Sequence, residues 1–452
     1  MKIIIVGCGK VGYTIAEQLA QEKHSVTVID NSLERLSSIR DAFDVMTICG
    51  NGSSVSVLKE SGIKDTDMFI SVTNSDELNL LCCLLAKNLH ENIITVARVR
   101  NPIYNEETVL LQNSLGISMI INPEQKAAME ISRLLNFPSA ITIDPFARER
   151  VRLVKFKVPE SLNLDGLSVM ELSRKIQLDI LISGVQRQDQ AFIPNGDFVL
   201  KNGDLVSVLG TSVNIAKFFH KIGLKNRRVR NCMIIGGGPT TVYLAKSLAE
   251  MKIKVTIIEQ SKEKCDHLAE ILPSCYIIHG DGTNRRLLEE EGIDQAEAFV
   301  SLTNIDEENI LISYYAARKG NCKVITKINR IDMKDFMDSF NIGSIVSPKY
   351  ITSDSIIQYT RAASNSYGSN VETLYHILDG RAEALEFAVN EKSRVINTPL
   401  KDLKVRDNTL IGCIIRESDV IIPRGNDMIC SGDGVVIITT HTGMNSLEDI
   451  LR

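Results

Sequence analysis

MKIIIVGCGKVGYTIAEQLAQEKHSVTVID, residues 1–30, reads as one βαβ unit. Ile3-Ile4-Ile5-Val6 is a short apolar run rich in β-branched side chains, the mark of a parallel strand buried on both faces. Gly7-Cys8-Gly9-Lys10-Val11-Gly12 then turns the chain into a helix whose apolar residues Ile15, Ala16, Leu19 and Ala20 recur at three- and four-residue spacing. The glycines have separate tasks. Gly7 permits the tight turn, Gly9 lets the backbone meet a pyrophosphate with no side chain between, and Gly12 lets the helix lie close on its strand. Phosphate would sit on the unpaired N–H groups at the helix start. A second strand, Val26-Thr27-Val28-Ile29, ends at Asp30, about 20 residues beyond the glycines. A carboxylate there accepts ribose hydroxyls and repels a 2′-phosphate, which favours NAD or an adenosine nucleotide over NADP.

The same reading recurs further along. Asn231-Cys232-Met233-Ile234-Ile235-Gly236-Gly237-Gly238 repeats the opening strand and turn 229 residues later, and Val255-Thr256-Ile257-Ile258-Glu259 repeats the second strand with its terminal acid. Gly50-Asn51-Gly52-Ser53 pairs with Gly280-Asp281-Gly282-Thr283, and Ser71-Val72-Thr73-Asn74-Ser75-Asp76-Glu77 with Ser301-Leu302-Thr303-Asn304-Ile305-Asp306-Glu307. The duplication extends past these units. Phe192-Ile193-Pro194-Asn195-Gly196 answers Ile421-Ile422-Pro423-Arg424-Gly425, and Asn202-Gly203-Asp204 answers Ser431-Gly432-Asp433. These tails carry short apolar runs divided by Gly, Asn and Asp, as in a small α+β lobe of short strands with one or two helices. The expected fold is therefore α/β: two tandem Rossmann-like, doubly wound parallel-sheet lobes, each followed by a small α+β lobe. Boundaries are placed at 1–138, 139–226, 227–365 and 366–452, with Lys225–Arg230 as a basic linker.

Within the first unit, Val45–Ile48 gives a third strand with Asn51 and Ser53 beyond its end, either reaching an adenine and its ribose or serving only a turn. Met68–Val72 gives a fourth strand that sets Thr73 and Asn74 over the far half of a ligand, although Ser75 or Asn74 capping the next helix explains the same residues. A fifth strand, Ile94–Ala97, presents Arg98, suited to a phosphate or to a surface ion pair. The second unit departs at Gly236-Gly237-Gly238-Pro239-Thr240-Thr241. Pro239 removes an N–H, and Thr241 replaces the third glycine, where a β-branched residue would push helix and strand apart. Glu259 keeps the ribose carboxylate, but weaker, altered or absent binding is expected there.

Composition narrows the classes. A chain of 452 residues outgrows one core, and 44% hydrophobic with 24% charged residues is ordinary for a globular protein. A net charge of −5 gives no case for nucleic acid. No run approaches the roughly 20 apolar residues needed to span a bilayer, so neither a signal peptide nor a membrane anchor is expected. The ten cysteines have no zinc spacing and read as reduced, buried thiols. The seven histidines form no constellation fit for acid–base work, which argues against an NAD-dependent oxidoreductase, the rival class.

On the duplicated glycine turns, Asp30, Gly50–Ser53, Thr73–Asp76 and the paired small lobes, the chain resembles the TrkA family, the cytosolic regulatory subunits of bacterial Trk potassium uptake systems, built from two tandem RCK (KTN) modules. The resemblance implies a non-enzymatic sensor of NAD(H) and ATP or ADP. It also implies assembly as a homotetrameric ring, peripheral on the inner face of the membrane beneath a potassium translocation subunit. A regulator of a different cation transporter, an efflux channel or an antiporter, stays open. Carried over residue by residue, Gly7, Cys8, Gly9, Lys10, Val11 and Gly12 line the phosphates, with Lys10 reaching a terminal one. Asp30 takes the ribose, Asn51 and Ser53 the adenine side, and Thr73 with Asn74 the distal side, with Arg98 near phosphate. Glu124 matches a carboxylate that helps hold a divalent cation between subunits in some relatives. Its counterpart in the second half is Lys349.

Overall fold

The computed structural model describes residues 1–101, 104, 107–162, 164–188, 190–224, 229–320, 322–329, 343–364, 371–378, 380–441, 443–444 and 446–452. The first six strands are β1 (Lys2–Val6), β2 (Ser25–Asp30), β3 (Met46–Cys49), β4 (Met68–Ser71), β5 (Ile94–Arg98) and β6 (Met119–Ile121). They form one parallel sheet in the order β3-β2-β1-β4-β5-β6. This is the doubly wound arrangement, with its crevice where the order reverses between β1 and β4. Ile3, Ile4 and Ile5 are at most 1% exposed, as a strand covered on both faces requires.

The second half repeats it with β12 (Asn231–Ile235), β13 (Lys254–Glu259), β14 (Tyr276–His279), β15 (Ala298–Ser301), β16 (Lys323–Lys327) and β17 (Ser344–Val346), ordered β14-β13-β12-β15-β16-β17. Contacts gather both parallel-sheet lobes into one compact unit, Met1–Ser132 with Arg230–Thr360. Within it, the helix that leaves each sheet lies on the other lobe. Asn122, leading into helix Pro123–Asn136, donates from Nδ2 to the Tyr243 hydroxyl (3.0 Å), and Ser132 Oγ meets Ser247 Oγ (3.0 Å). In return, Thr360 on helix Pro348–Ser364 donates to Met68 Sδ (3.2 Å).

The small lobes make the second unit, Arg133–Val229 with Arg361–Arg452. Their strands are β7 (Thr142–Phe146), β8 (Val151–Lys157), β9 (Ile180–Arg187), β10 (Gln190–Phe192) and β11 (Leu205–Gly210), then β18 (Val371–Ile377), β19 (Ala382–Ala388), β20 (Thr409–Arg416), β21 (Asp419–Ile421) and β22 (Gly434–Thr439). Each set is an antiparallel sheet of the same topology, β7-β8-β11-β9-β10 and β18-β19-β22-β20-β21. The repeated Asp explains its motif. Asp204 holds Arg187 with two bonds of 2.8 Å, and Asp433 holds Arg416 at 2.9 and 2.8 Å. Such a fork of charge-assisted bonds fixes the hairpin against the loop.

The two small lobes differ in helix content. The first small lobe has two α-helices, Val169–Ile176 and Ser212–Lys221, but among the described residues 371–452 only short 3-10 turns occur, at Leu400–Asp402 and Leu447–Ile450. Ser168 and Glu171 form a capping box that nucleates the first helix, whereas Pro399 precedes a turn with no side-chain cap. The breaks between units fall at Ser132/Arg133 and Thr360/Arg361, inside the long helices. The sequence reading puts those boundaries a few residues later, at 138 and 365. Residues 225–228 of the linker, and with them the boundary at 226/227, lie outside the described residues, as does the boundary at 365/366.

Candidate functional site

The first glycine loop is constrained where its spacing says it should be. Gly7 has φ +99°, a conformation costly for any side chain. A Cβ on Gly12 would lie 1.8 Å from the Gly7 carbonyl oxygen, so only glycine lets the helix start so near the strand. Gly9 differs from both. Its φ is −75° and a Cβ there would meet nothing within 4 Å. Its bareness therefore serves whatever lies above the loop and not the protein's own packing. Gly9 caps helix Lys10–Gln21 without a side-chain bond, and the first turn holds no acid, leaving the N–H groups available to an anion. Lys10 is exposed at that start, while Val11 is buried beneath it.

Asp30 stands at the end of β2, 7% exposed, and braces the loop. Its Oδ2 accepts the Cys8 N–H (2.6 Å) and its Oδ1 the Ser32 N–H (2.8 Å), while Arg35 lies 3.8 Å away. Burial and the Asp30 charge push the Cys8 thiol up to about 11, so it stays neutral within the glycine loop. Gly52 brings its turn against Val6, where a Cβ would come within 2.2 Å of Cγ1. In that turn Asn51 Oδ1 accepts from the Ser53 N–H (3.0 Å) and hydroxyl (2.9 Å), and Asp281 does the same for Thr283. The turn role is thus visible in both halves, and the Asn51 side chain still faces solvent at the crevice.

Ser75, not Asn74, caps the helix Asp76–Leu89 through the Leu78 N–H. Thr73 is held by a residue the sequence reading passes over. Asn79, fully buried, accepts at Oδ1 from the Thr73 N–H (2.7 Å), the Thr73 hydroxyl (2.8 Å) and Ser71 Oγ (3.0 Å), and donates to the carbonyls of Thr73 (3.2 Å) and Arg98 (2.8 Å). Asn309 repeats this around Thr303. The repeat itself carried that signal, since Asn79 and Asn309 stand at the same offset as the two threonines.

Among the described residues Arg98 makes no surface ion pair. It is 8% exposed, and one guanidinium nitrogen donates to the Thr73 carbonyl (2.6 Å) and reaches Asn74 Oδ1 (3.5 Å). Burial and the neighbouring Arg100 lower its pKa. Burial raises that of Glu124, against the pull of Arg100 and Arg98. Glu124 also acts on Lys327, the counterpart of Arg98 in the second lobe. The carboxylate thus sits in a cationic neighbourhood, and among the described residues no three His, Cys, Asp or Glu side chains gather as a metal would need.

In the second cleft Gly236 keeps φ +98°, Glu259 keeps both bonds, to the N–H of Gly237 (2.7 Å) and of Ser261 (2.8 Å), and Gly238 keeps open space above it. Thr241 is buried and donates its hydroxyl to the Gly236 carbonyl (2.5 Å). That oxygen is the counterpart of the Gly7 carbonyl oxygen, which a Cβ on Gly12 would meet in the first cleft.

Fold and clefts together define a tandem two-module protein, each module a nucleotide-fold lobe with a glycine-floored helix start and a bracing carboxylate, followed by a small antiparallel lobe. The TrkA-N domain matches residues 3–123 and 232–348, and the TrkA-C domain residues 153–223 and 384–452. The chain is 34% identical over 459 residues to the Trk system potassium uptake protein TrkA homolog 1 of Methanosarcina mazei, covering 100% of both chains. It is 33% identical over 442 residues to the TrkA protein of Halomonas elongata, covering 97% of this chain and 95% of that one. The chain belongs to the TrkA family. Among solved structures it resembles the GsuK RCK domain (TM-score 0.61, 17% identity, 98% of this chain and 93% of that one) and the GsuK channel bound to NAD (TM-score 0.61, 17% identity, 98% and 77%). At that identity the likeness is one of fold.

Proposed function

We propose that this chain is the cytosolic regulatory subunit of a Trk-type potassium uptake system, taking NAD(H) or an adenine nucleotide in its first cleft and gating a membrane-embedded translocation subunit as a homo-oligomeric ring. The observation that carries this reading is full-length kinship with Trk potassium uptake proteins joined to a glycine loop whose one unconstrained glycine leaves open space above a bare helix start. The residues fit a dinucleotide: Gly7, Gly9 and Gly12 for the pyrophosphate, Asp30 for the ribose, Asn51 at the adenine side, and Thr73, Asn74 and Arg98 beyond. Among the described residues no helix is long and apolar enough to cross a membrane, so the chain would act from the membrane surface through its partner.

Sensing follows from differential affinity. A ligand shifts a conformational equilibrium only as far as it binds the two states unequally. Here the helix that leaves the first sheet lies on the helix that opens the second glycine loop, so a change at the ends of β5 and β6 is carried directly to the other lobe. Hydride chemistry would need an acid or base beside the nicotinamide. Thr73, Asn74 and Arg98 at the ends of β4 and β5 are unsuited to that work near neutral pH, which leaves Asp76 and Glu124 as the carboxyls near that end. The test is potassium flux into vesicles holding a Trk-type translocation subunit. Adding this chain should make the flux respond to NADH or ATP, and a flux indifferent to the chain and to both nucleotides would overturn the proposal.

A further inference from the structure

The two small lobes share one apolar cluster, with Phe146, Val151 and Leu153 of the first packed among Leu378, Ala384 and Ile438 of the second. The Phe146 ring meets Tyr375 edge-on, centroids 5.0 Å apart. A carboxyl is sunk in this contact. Glu386 on β19 is 5% exposed, and its Oε2 accepts the Ala147 N–H of the other lobe (3.1 Å). The duplication does not supply it on both sides. By sheet register its counterpart in the first lobe is Lys155, whose Nζ donates to Gln186 of its own lobe (3.1 Å).

The turn that Glu386 grips, between β7 and β8, is strained. Ala147, Arg148 and Glu149 take φ of 50°, 54° and 70° in succession. Residues with side chains hold such a conformation only where their surroundings impose it, and such strain gathers at switching segments. Here both lobes impose it. Glu386 takes the Ala147 N–H, Arg150 donates to the carbonyls of Ala147 (3.1 Å) and of Glu417 in the second lobe, and Arg133 pairs with Glu149.

The groups around Glu386 set its response to pH. Glu372 on β18 presses a like charge on it, Arg150 just before β8 an opposite one, and Thr373 and the Ala147 N–H offer hydrogen bonds. Burial and Glu386 itself push the Cys413 thiol on β20 up to about 12, so that neighbour is neutral. Burial prevails, and the Glu386 carboxyl lies above the ordinary range. We propose that Glu386 and the β7–β8 turn form a proton-operated joint between the small lobes, closed while the carboxyl is protonated and loosened when it ionises. Joined lobes bind the proton more tightly than parted ones. Closure is therefore fully favoured below the ordinary carboxylate value of about 4.3 and weakens as pH rises through the raised one.

Hydrogen–deuterium exchange of the full chain, read over Ile143–Val151 between pH 5 and pH 8, tests the joint. Dividing the rate in the unaltered chain by that in Glu386→Gln at the same pH cancels the intrinsic pH dependence of exchange. That ratio should rise by about tenfold across the range, while the segment over β11 stays within about twofold. A flat ratio, or an equal rise over β11, overturns the proposal. Glu372→Gln alters an exposed residue and removes the like charge, so its rise should be smaller and fall at lower pH. If Glu386→Gln does not fold, the rate in the unaltered chain over that in Glu372→Gln should still climb with pH, and coincident curves for those two overturn the joint.

Discussion

Gly9→Ala separates what the glycine loop does for the protein from what it does for a ligand. Gly9 sits at φ −75°, ψ −172°, which alanine adopts freely, and the added methyl would find no atom within 4 Å. The folded state is therefore unstrained, and the gain from a less flexible unfolded chain is offset by the loss of a favoured N-cap residue, so stability should stay within about 1 kcal/mol of the unaltered chain. A bound pyrophosphate would meet that methyl head on. Forcing one methyl group into a filled contact costs about 1–3 kcal/mol, a loss of about 5- to 140-fold in affinity. Gly12→Ala is the control. Its Cβ would lie 1.8 Å from the Gly7 oxygen where ordinary contact begins near 3.4 Å, so the helix must move and stability should fall by about 2 kcal/mol or more despite the better helix former. Scanning calorimetry and NADH titration on the same preparations read both quantities. Undiminished NADH affinity in Gly9→Ala, or destabilisation comparable with Gly12→Ala, would refute the reasoning.

Asn79→Ala should cost about 2–4 kcal/mol in chemical denaturation, because the Thr73 N–H and the Arg98 carbonyl lose buried partners; a change under about 0.5 kcal/mol would mean that the loop after β4 holds itself. Glu386 on β19 accepts the Ala147 N–H (3.1 Å) beside three successive residues at positive φ, Ala147, Arg148 and Glu149. Burial, with help from Glu372, raises its carboxyl above the usual range. The folded state thus binds the proton more tightly than the unfolded one. Its contribution is fully present below the unfolded value of about 4.3 and is lost as pH rises through the raised folded value. Glu386→Gln keeps an acceptor without the titration, so its melting temperature relative to the unaltered chain should climb between pH 4 and pH 7, and a flat difference would contradict this.

How much of this could be read from the residues depended on how many neighbours each needed. The βαβ units were legible because a strand covered on both faces must be apolar throughout, as Ile3–Val6 is, and because Gly7 and Gly12 answer to local geometry alone. The duplication was legible because two copies check each other. The crossing of helix Pro123–Asn136 onto the other lobe was not, since the Asn122–Tyr243 and Ser132–Ser247 contacts join residues more than 100 apart and follow no local pattern. Asn79 was passed over for another reason: an asparagine inside a helix looks like a solvent-facing residue, and only its recurrence as Asn309 marks it until the carbonyls it serves are folded around it. Asp30 was read as a ribose ligand, and its second task, tying down the Cys8 and Ser32 N–H groups, appears only once the loop is closed.

The central claim is that the first cleft of this chain binds a dinucleotide through the glycine loop and Asp30. It is met most directly by counting NADH sites on the intact chain by equilibrium titration, alongside Asp30→Ala and Glu259→Ala checked by circular dichroism for an unchanged fold. NADH should occupy a site that Asp30→Ala abolishes and Glu259→Ala leaves intact. Full NADH affinity in folded Asp30→Ala would contradict it.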